Sequence, residues 1–398
     1  MDNYRAFLAI LISFLILIGY QYLFVGFGPK EGEQQRGNQQ VEAAAGDGAE
    51  ITSPESKTAP VAGTSSLAPI KTEGPAHVVD REAKKTVVET PLFTAVFSEA
   101  GGAVESFVLK KYKETNEEDS PGKQLLPGAE TNHGSLAFSW GDIVPENLYY
   151  TVAADEVTFR DGKGELRYAA RTPSGISVEK IYTFSEDSYL IDLEVHVTNS
   201  SGQTLQGNAV VHQINRPFQS NNSFNKFIFQ GAAAYGGEEL TQVKAKELSK
   251  GPVTLPGIFD WVGFESTYFM CALIPADKDQ ANFYVDGSES LVATQLAAGV
   301  DTLSPEAVTS YTYHVYYGPK KYSLLKKMGY KLSESIDFGW FAIIARPTLA
   351  LLNFFHTYLK NYGIAIILVT IIFKLLFWPI TQRGLKSMKN MQKLQPKM

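Results

Sequence analysis

The chain is apolar near both ends and alternates between apolar and polar positions over much of its middle. Residues 6–27 read AFLAILISFLILIGYQYLFVGF, broken only by Ser13 and Gln21 apart from tyrosines and glycines. Residues 362–380 read YGIAIILVTIIFKLLFWPI, in which Lys374 is the single charge. Nineteen helical residues cover about 28 Å, enough to cross a hydrocarbon core. Both segments are therefore expected to span a membrane. A cleaved signal peptide is the alternative for the first, but its MDNYR start is weakly basic and VGFGPK makes a poor cleavage site.

Between Phe27 and Phe93 no aromatic residue occurs, in a chain that is 12% aromatic. Such a Gly-, Ala-, Gln-, Ser- and Pro-rich stretch buries too little apolar surface to offset chain entropy, so residues 28–83 are expected to be a disordered tether. From about Lys84 to Tyr317 the period becomes two. Ile191, Leu193, Val195 and Val197 alternate with Asp192, Glu194, His196 and Thr198, and Asn199–Gly202 supplies a turn. Phe93–Phe97 and Val104–Leu109 flank EAGG, a hairpin signal, and Tyr311, Tyr313, Val315 and Tyr317 share one face. Many short strands with little helical pattern between them predict a large antiparallel β-sandwich over residues 84–318.

After Gly318 and Pro319 the period changes to helical. KKYSLLKKMGYKLSES, within residues 319–335, predicts a short basic amphipathic helix. In residues 336–360, Arg346, Asn353, Thr357 and Lys360 follow offsets of seven, four and three and so share one helical face, opposite Trp340, Ile344, Leu351 and Phe355. A one-sided polar stripe predicts a helix lying in the membrane interface. A second spanning helix is the rival, but Lys360, Asn361 and Tyr362 leave little room for a turn.

Charge then sets orientation. The net charge of -6 gives no reason to expect nucleic acid as a partner, and the single cysteine, Cys271, excludes an internal disulfide framework. The last sixteen residues, 383–398, hold Arg383, Lys386, Lys389, Lys393 and Lys397 without an acid. By the positive-inside rule that end is cytoplasmic. Two spans, residues 6–27 and 361–381, then leave residues 1–5 and 382–398 inside and the sandwich outside.

These parts, in this order, resemble the YidC membrane-protein insertase family in its bacterial form with a large periplasmic domain. NYGIAIILVTIIFK (residues 361–374) is similar to the first conserved core helix, and FWPITQRGLKSMKNMQKLQPKM to its exit and the start of a cytoplasmic hairpin. WVGFESTYFMCALIP (residues 261–275) resembles a periplasmic strand, and Tyr317, Gly318, Pro319 and Lys320 that domain's exit. The resemblance implies a mutarotase-like sandwich and an inner-membrane insertase and chaperone working alone or with the Sec translocon. It also implies nascent membrane proteins, membrane lipid and the ribosome as partners, and no cofactor. The family's groove residue is commonly arginine, where this chain has Lys374; lysine keeps the charge without the planar donor fork. The family core has five membrane helices, so the resemblance implies four more core helices following this first one in a longer protein.

On a helical wheel Gly363, Thr370, Lys374 and Thr381 fall on one side, with Trp378 one turn beyond the lysine. The resemblance implies that this side lines a hydrophilic groove for substrate. Snorkelling to the cytoplasmic headgroups is the plainer alternative for Lys374, interface anchoring for Trp378 and a back-bonded hydroxyl for Thr370. Met388, Met391, Leu394 and Met398 with the surrounding lysines suit either a lipid-facing amphipathic helix or one arm of the hairpin. From another class, a membrane-tethered carbohydrate-binding or mutarotase-like protein would need a positioned acid and base. His77, His133, His196, His212 and His314 are scattered, with His212 in VVHQINRPF the leading candidate among them. No metal spacing, nucleotide loop or nucleophile elbow is present, so no enzyme activity is expected.

Overall fold

The computed structural model describes residues 83–394 apart from 116, 127–133, 153–155, 218–228, 289 and 339–340. The expected helix over 6–27, all but the last residue of the expected tether, His77, His133 and Lys397 lie outside the described residues.

Alternation does build strands here. In the strand Leu190–Asn199, Ile191, Leu193, Val195 and Val197 are fully buried while the residues between them face outward. The strands form three antiparallel sheets. A four-stranded sheet runs β1 (Lys85–Glu89), β2 (Phe93–Ser98), β3 (Ala103–Lys113), β4 (Gly122–Gln124). A five-stranded sheet has the order β13 (Val253–Gly257), β16 (Ala281–Gly287), β17 (Val292–Leu303), β10 (Leu205–Asn215), β5 (Ala137–Trp140). A nine-stranded sheet begins β12 (Glu239–Lys244), β11 (Gly231–Gly236), β14 (Trp261–Glu265), β15 (Phe269–Pro275), β18 (Val308–Pro319). It continues β9 (Leu190–Asn199), β8 (Ile176–Ser185), β7 (Lys163–Arg171), β6 (Thr151–Val152).

The two smaller sheets cover one face of the large one. Phe107 of β3 meets Tyr317 of β18 edge-to-face at 5.3 Å, and Phe97 of β2 meets Tyr182 of β8 at 4.9 Å. From β5, the Trp140 indole N–H donates to the Tyr311 hydroxyl of β18 at 2.9 Å. Cys271 is buried in β15, and desolvation pushes its thiol up to about 12. The architecture is thus the antiparallel β-sandwich that the alternating pattern predicts.

One inward position breaks the apolar rule. In β8, Ile176, Val178, Lys180, Tyr182 and Phe184 all point inward. Lys180 is fully buried, and its Nζ donates to the carbonyls of Gly101 (3.0 Å), Gly102 (2.7 Å) and Leu136 (2.6 Å). Gly101 and Gly102 make the β2–β3 turn with φ of +72° and +52°, a left-handed pair that aims successive carbonyls at one point. Leu136 leads into β5. One ammonium therefore joins all three sheets, with the Tyr150 and Tyr182 rings at 5.6 and 5.5 Å. Burial drives its pKa well below the ordinary lysine value, and the three carbonyl acceptors oppose that shift.

Lys180→Met takes the donor from the buried carbonyls of Gly101 and Leu136, at about 1–3 kcal/mol each, while the Gly102 carbonyl keeps the Tyr182 hydroxyl at 2.8 Å. A loss of at least about 2 kcal/mol is expected in urea unfolding followed by tryptophan fluorescence; a midpoint unchanged from the parent would show that the ammonium is dispensable.

Candidate functional site

The chain leaves the sandwich at Pro319 and enters a connector that differs from the single amphipathic helix expected over 319–335. Helix α1 (Tyr322–Met328) stops at Gly329, and Gly329, Tyr330 and Lys331 all take left-handed φ values of +82°, +51° and +55° before a 3-10 turn at Leu332–Ser335. The reason is tertiary. Leu325 and Leu332 are both fully buried, and no straight helix along the sandwich wall also lets Trp261 Nε1 donate to the Lys331 carbonyl (3.3 Å) and His314 stack on Tyr330 (4.7 Å between centroids). Lys331 Nζ pairs with Asp260 at 3.1 Å.

At the exit itself, Lys320 Nζ pairs with Glu265 of β14 at 3.1 Å, and Gln242 Nε2 donates to the same carboxylate at 2.5 Å. Glu265 is wholly buried, and desolvation raises its pKa above the ordinary value, with Lys320 and Gln242 opposing. The connector is therefore part of the domain's packing rather than a loose link.

Helix α2 covers Ala342–Leu359, so residues 336–338, expected at the start of the interfacial helix, precede it as non-helical chain. Its polar stripe is placed as follows. Arg346 reaches back to Glu334 (3.5 Å) and lies over the Phe338 ring at 5.8 Å. Asn353 is exposed, and its carbonyl accepts the Thr357 hydroxyl at 2.9 Å. Lys360 adopts the left-handed conformation that ends the helix. Two residues later α3 begins, Tyr362–Leu394. Asn361 is its N-cap: the Oδ1 accepts the N–H groups of Gly363 (2.8 Å) and Ile364 (3.3 Å). His356 stacks on Tyr362 at 3.7 Å and closes the corner.

Helix α3 packs on α2 through Ala365 and Val369, both buried, with Leu368 and Phe373 half-buried beside them. Gly363, Thr370, Lys374, Trp378 and Thr381 are all exposed, on the side turned away from α2. Lys374 makes no ion pair among the described residues. The Thr370 and Thr381 hydroxyls donate to the carbonyls of Ile366 (2.8 Å) and Phe377 (3.0 Å), as isolated helical threonines do. The sequence reading missed Pro379. It lies inside the helix and has no N–H, so the Leu375 carbonyl beside Lys374 has no helical partner. The helix continues without a break past Thr381 to Leu394, about 50 Å in all, rather than ending near residue 381. Arg383, Lys386, Lys389 and Lys393 ride on that extension, and of these only the side chain of Lys386 is described, as exposed. By length and composition Tyr362–Pro379 is the only candidate span among the described residues.

The histidines also resolve. His196 bonds Ser310 on the surface, and His314 bonds Asp192 at 2.6 Å. His212 Nδ1 lies 2.9 Å from Glu146 and its Nε2 2.9 Å from Ser139 Oγ, a relay that no sequence spacing shows. The N–H that follows the serine, on Trp140, donates to the Val144 carbonyl at 2.9 Å, so it is not available to an oxyanion.

A β-sandwich locked by its connector to a two-helix corner whose second helix is apolar, long enough to span and carries one lysine points to a membrane protein, and relatives identify which. Residues 85–351 match the YidC periplasmic domain, and residues 354–398 the family described as 60Kd inner membrane protein. The membrane protein insertase YidC of Geobacter metallireducens is 34% identical over 400 residues, covering 99% of this chain and 72% of the relative. That of Geotalea daltonii is also 34% identical, over 79% of this chain and 60% of the relative. The Syntrophus aciditrophicus insertase is 32% identical over 99% and 73%. The chain belongs to the YidC family of membrane protein insertases. It spans 60% to 73% of the length of these relatives. Among solved structures, a galactose mutarotase related enzyme from Lactobacillus acidophilus overlaps 59% of this chain and 97% of its own, with a TM-score of 0.43 and 9% identity. A galactose mutarotase-like protein from Clostridium acetobutylicum overlaps 60% and 98%, with a TM-score of 0.44 and 9% identity. Overlaps this weak carry nothing about chemistry.

Because Glu265 has a raised pKa in the folded state, the native protein holds a proton that the unfolded chain has released just above the ordinary glutamate value of about 4.3. Stability should therefore fall as pH rises through that window. Glu265→Gln should flatten this dependence in unfolding curves recorded on either side of it; an unchanged slope would remove Glu265 from the titration.

Proposed function

We propose that this chain inserts and helps fold integral membrane proteins, with the Lys374 face of α3 contributing to a hydrophilic groove that receives the arriving segment. The observation that carries this is a lone ammonium, exposed on the side of an apolar helix that α2 leaves free. A charge kept in hydrocarbon is costly and marks a pathway or a polar cavity. Positive charge there attracts acidic groups of a substrate, and the unpartnered Leu375 carbonyl adds an acceptor one residue away. The step is transient solvation of a polar chain, driven by partitioning of its apolar part into lipid, so it needs neither a covalent intermediate nor a cofactor.

In this reading the protein is an inner-membrane, multi-pass protein with residues 1–5 and 382–398 in the cytoplasm and the sandwich in the periplasm. The basic run from Arg383 to Lys397 supports that orientation. Residues 6–27 form the first span, 28–83 the tether, and Arg346, Asn353, Thr357 and Lys360 hold α2 at the lipid interface. Partners are nascent membrane proteins, the Sec translocon, the ribosome and lipid. Trp378 and Thr370 act as neighbours of the lysine, and Gly363 and Thr381 mark the ends of the same face.

In the full-length protein, Lys374→Arg should retain insertion of a dependent single-span substrate, and Lys374→Glu should impair it at equal expression. Equal activity of the two would sink the charge requirement. Photo-crosslinkers at 370, 374 and 378 should capture the nascent segment during its synthesis; capture of lipid alone would favour the snorkelling lysine.

A further inference from the structure

The end of the sandwich from which the chain departs carries an aromatic rim. Tyr268, at the tip of the β14–β15 hairpin, is 70% exposed, and its carbonyl accepts the Lys320 N–H at 2.7 Å. Next to it Phe269 meets Tyr112 edge-to-face at 5.5 Å, and Tyr322 at the start of α1 meets Phe338 at 5.7 Å. These five rings come from β3, the β14–β15 hairpin, α1 and the chain leading to α2. No short stretch of sequence groups them, and a tyrosine this exposed contributes nothing to the sandwich core.

The distance from this rim to the membrane is limited by the chain. Ala342, the first residue of α2, is only four positions after Phe338, a reach of at most about 14 Å. The actual approach is closer, because the Arg346 guanidinium of α2 lies over the Phe338 ring itself and contacts Glu334. Arg346 belongs to the polar stripe of α2, which sits at headgroup depth if α2 lies in the interface and α3 spans. Phe338 and Tyr322 are then at that depth too.

We infer that this aromatic rim, with Tyr268 as its most exposed member, is a foot by which the periplasmic sandwich rests in the headgroup region of the bilayer that holds α2 and α3. Amphipathic rings partition to that region, apolar body toward the acyl chains and hydroxyl toward water. The exposed Lys321 and Lys326 of the adjacent connector can meet lipid phosphates. Glu186 and Asp187 occupy the neighbouring β8–β9 turn, so net charge does not select this end; the rings do. The foot fixes the height and tilt of the sandwich above the membrane, which a flexible link could not. The inference rests on the spanning reading of α3.

The test is site-directed spin labelling of the full chain in vesicles of phosphatidylethanolamine and phosphatidylglycerol. Cys271 is buried and its thiol is pushed up to about 12, so introduced cysteines take the label. Labels go at Tyr268→Cys, at Leu375→Cys on the exposed side of α3 about 100° around from Lys374, and at Val308→Cys. Val308 is exposed and lies eleven residues before Pro319 along β18, about 36 Å from the exit end. The ratio of oxygen to nickel-chelate collisions should be several-fold higher at 268 than at 308, and highest at 375. A water-like ratio at 268 with a hydrocarbon ratio at 375 would overturn the foot and leave α3 spanning; water-like ratios at both would overturn the two together.

Discussion

The sandwich depends on one charged side chain placed where its strand pattern calls for an apolar one. Lys180 supplies three donors in a region that hydrophobic burial alone cannot organise, because the β2–β3 turn and the lead into β5 both end in carbonyls aimed inward. A buried carbonyl without a donor costs as much as a lost core methylene or more. The ammonium satisfies three of them at once and so fixes the two smaller sheets against the large one. The tyrosines around it add ring faces to a cation that water does not reach.

The same logic, a buried polar group with a fixed partner, operates at the exit. Glu265 and Lys320 place the departing chain, Trp261 and Tyr330 bend the connector, and Arg346 joins it to α2. A domain held this way transmits its position to the corner formed by α2, Asn361 and α3. In the function proposed above, that corner sets the depth and rotation at which Lys374 would meet substrate.

Much of this is legible in local spacing. The period of two in β9 and β18, the EAGG hairpin and the isolation of Lys374 need nothing more, and each appears where spacing puts it. Lys180 is equally visible in the alternation of β8, as a lysine in phase with Ile176, Val178, Tyr182 and Phe184, but its acceptors lie some 44 to 79 residues away in sequence, so spacing gives no sign of them. The connector reads as one helix because KKYSLLKKMGYKLSES carries a basic amphipathic pattern. The sandwich wall, through Trp261 and His314, breaks it. The Ser139–His212–Glu146 relay has no local signal at all.

What the sequence alone determined is therefore everything that depends on period and hydrophobicity: strands against helices, the apolar helix, its one charge, and the family. Which polar groups meet across the sheets, how the connector bends, which side of α3 stays free of α2 and how five rings come to share one rim were decided only by the tertiary structure. Those contacts join residues far apart in the chain, and their energies come from burial and directional hydrogen bonds that exist only once the layers have closed.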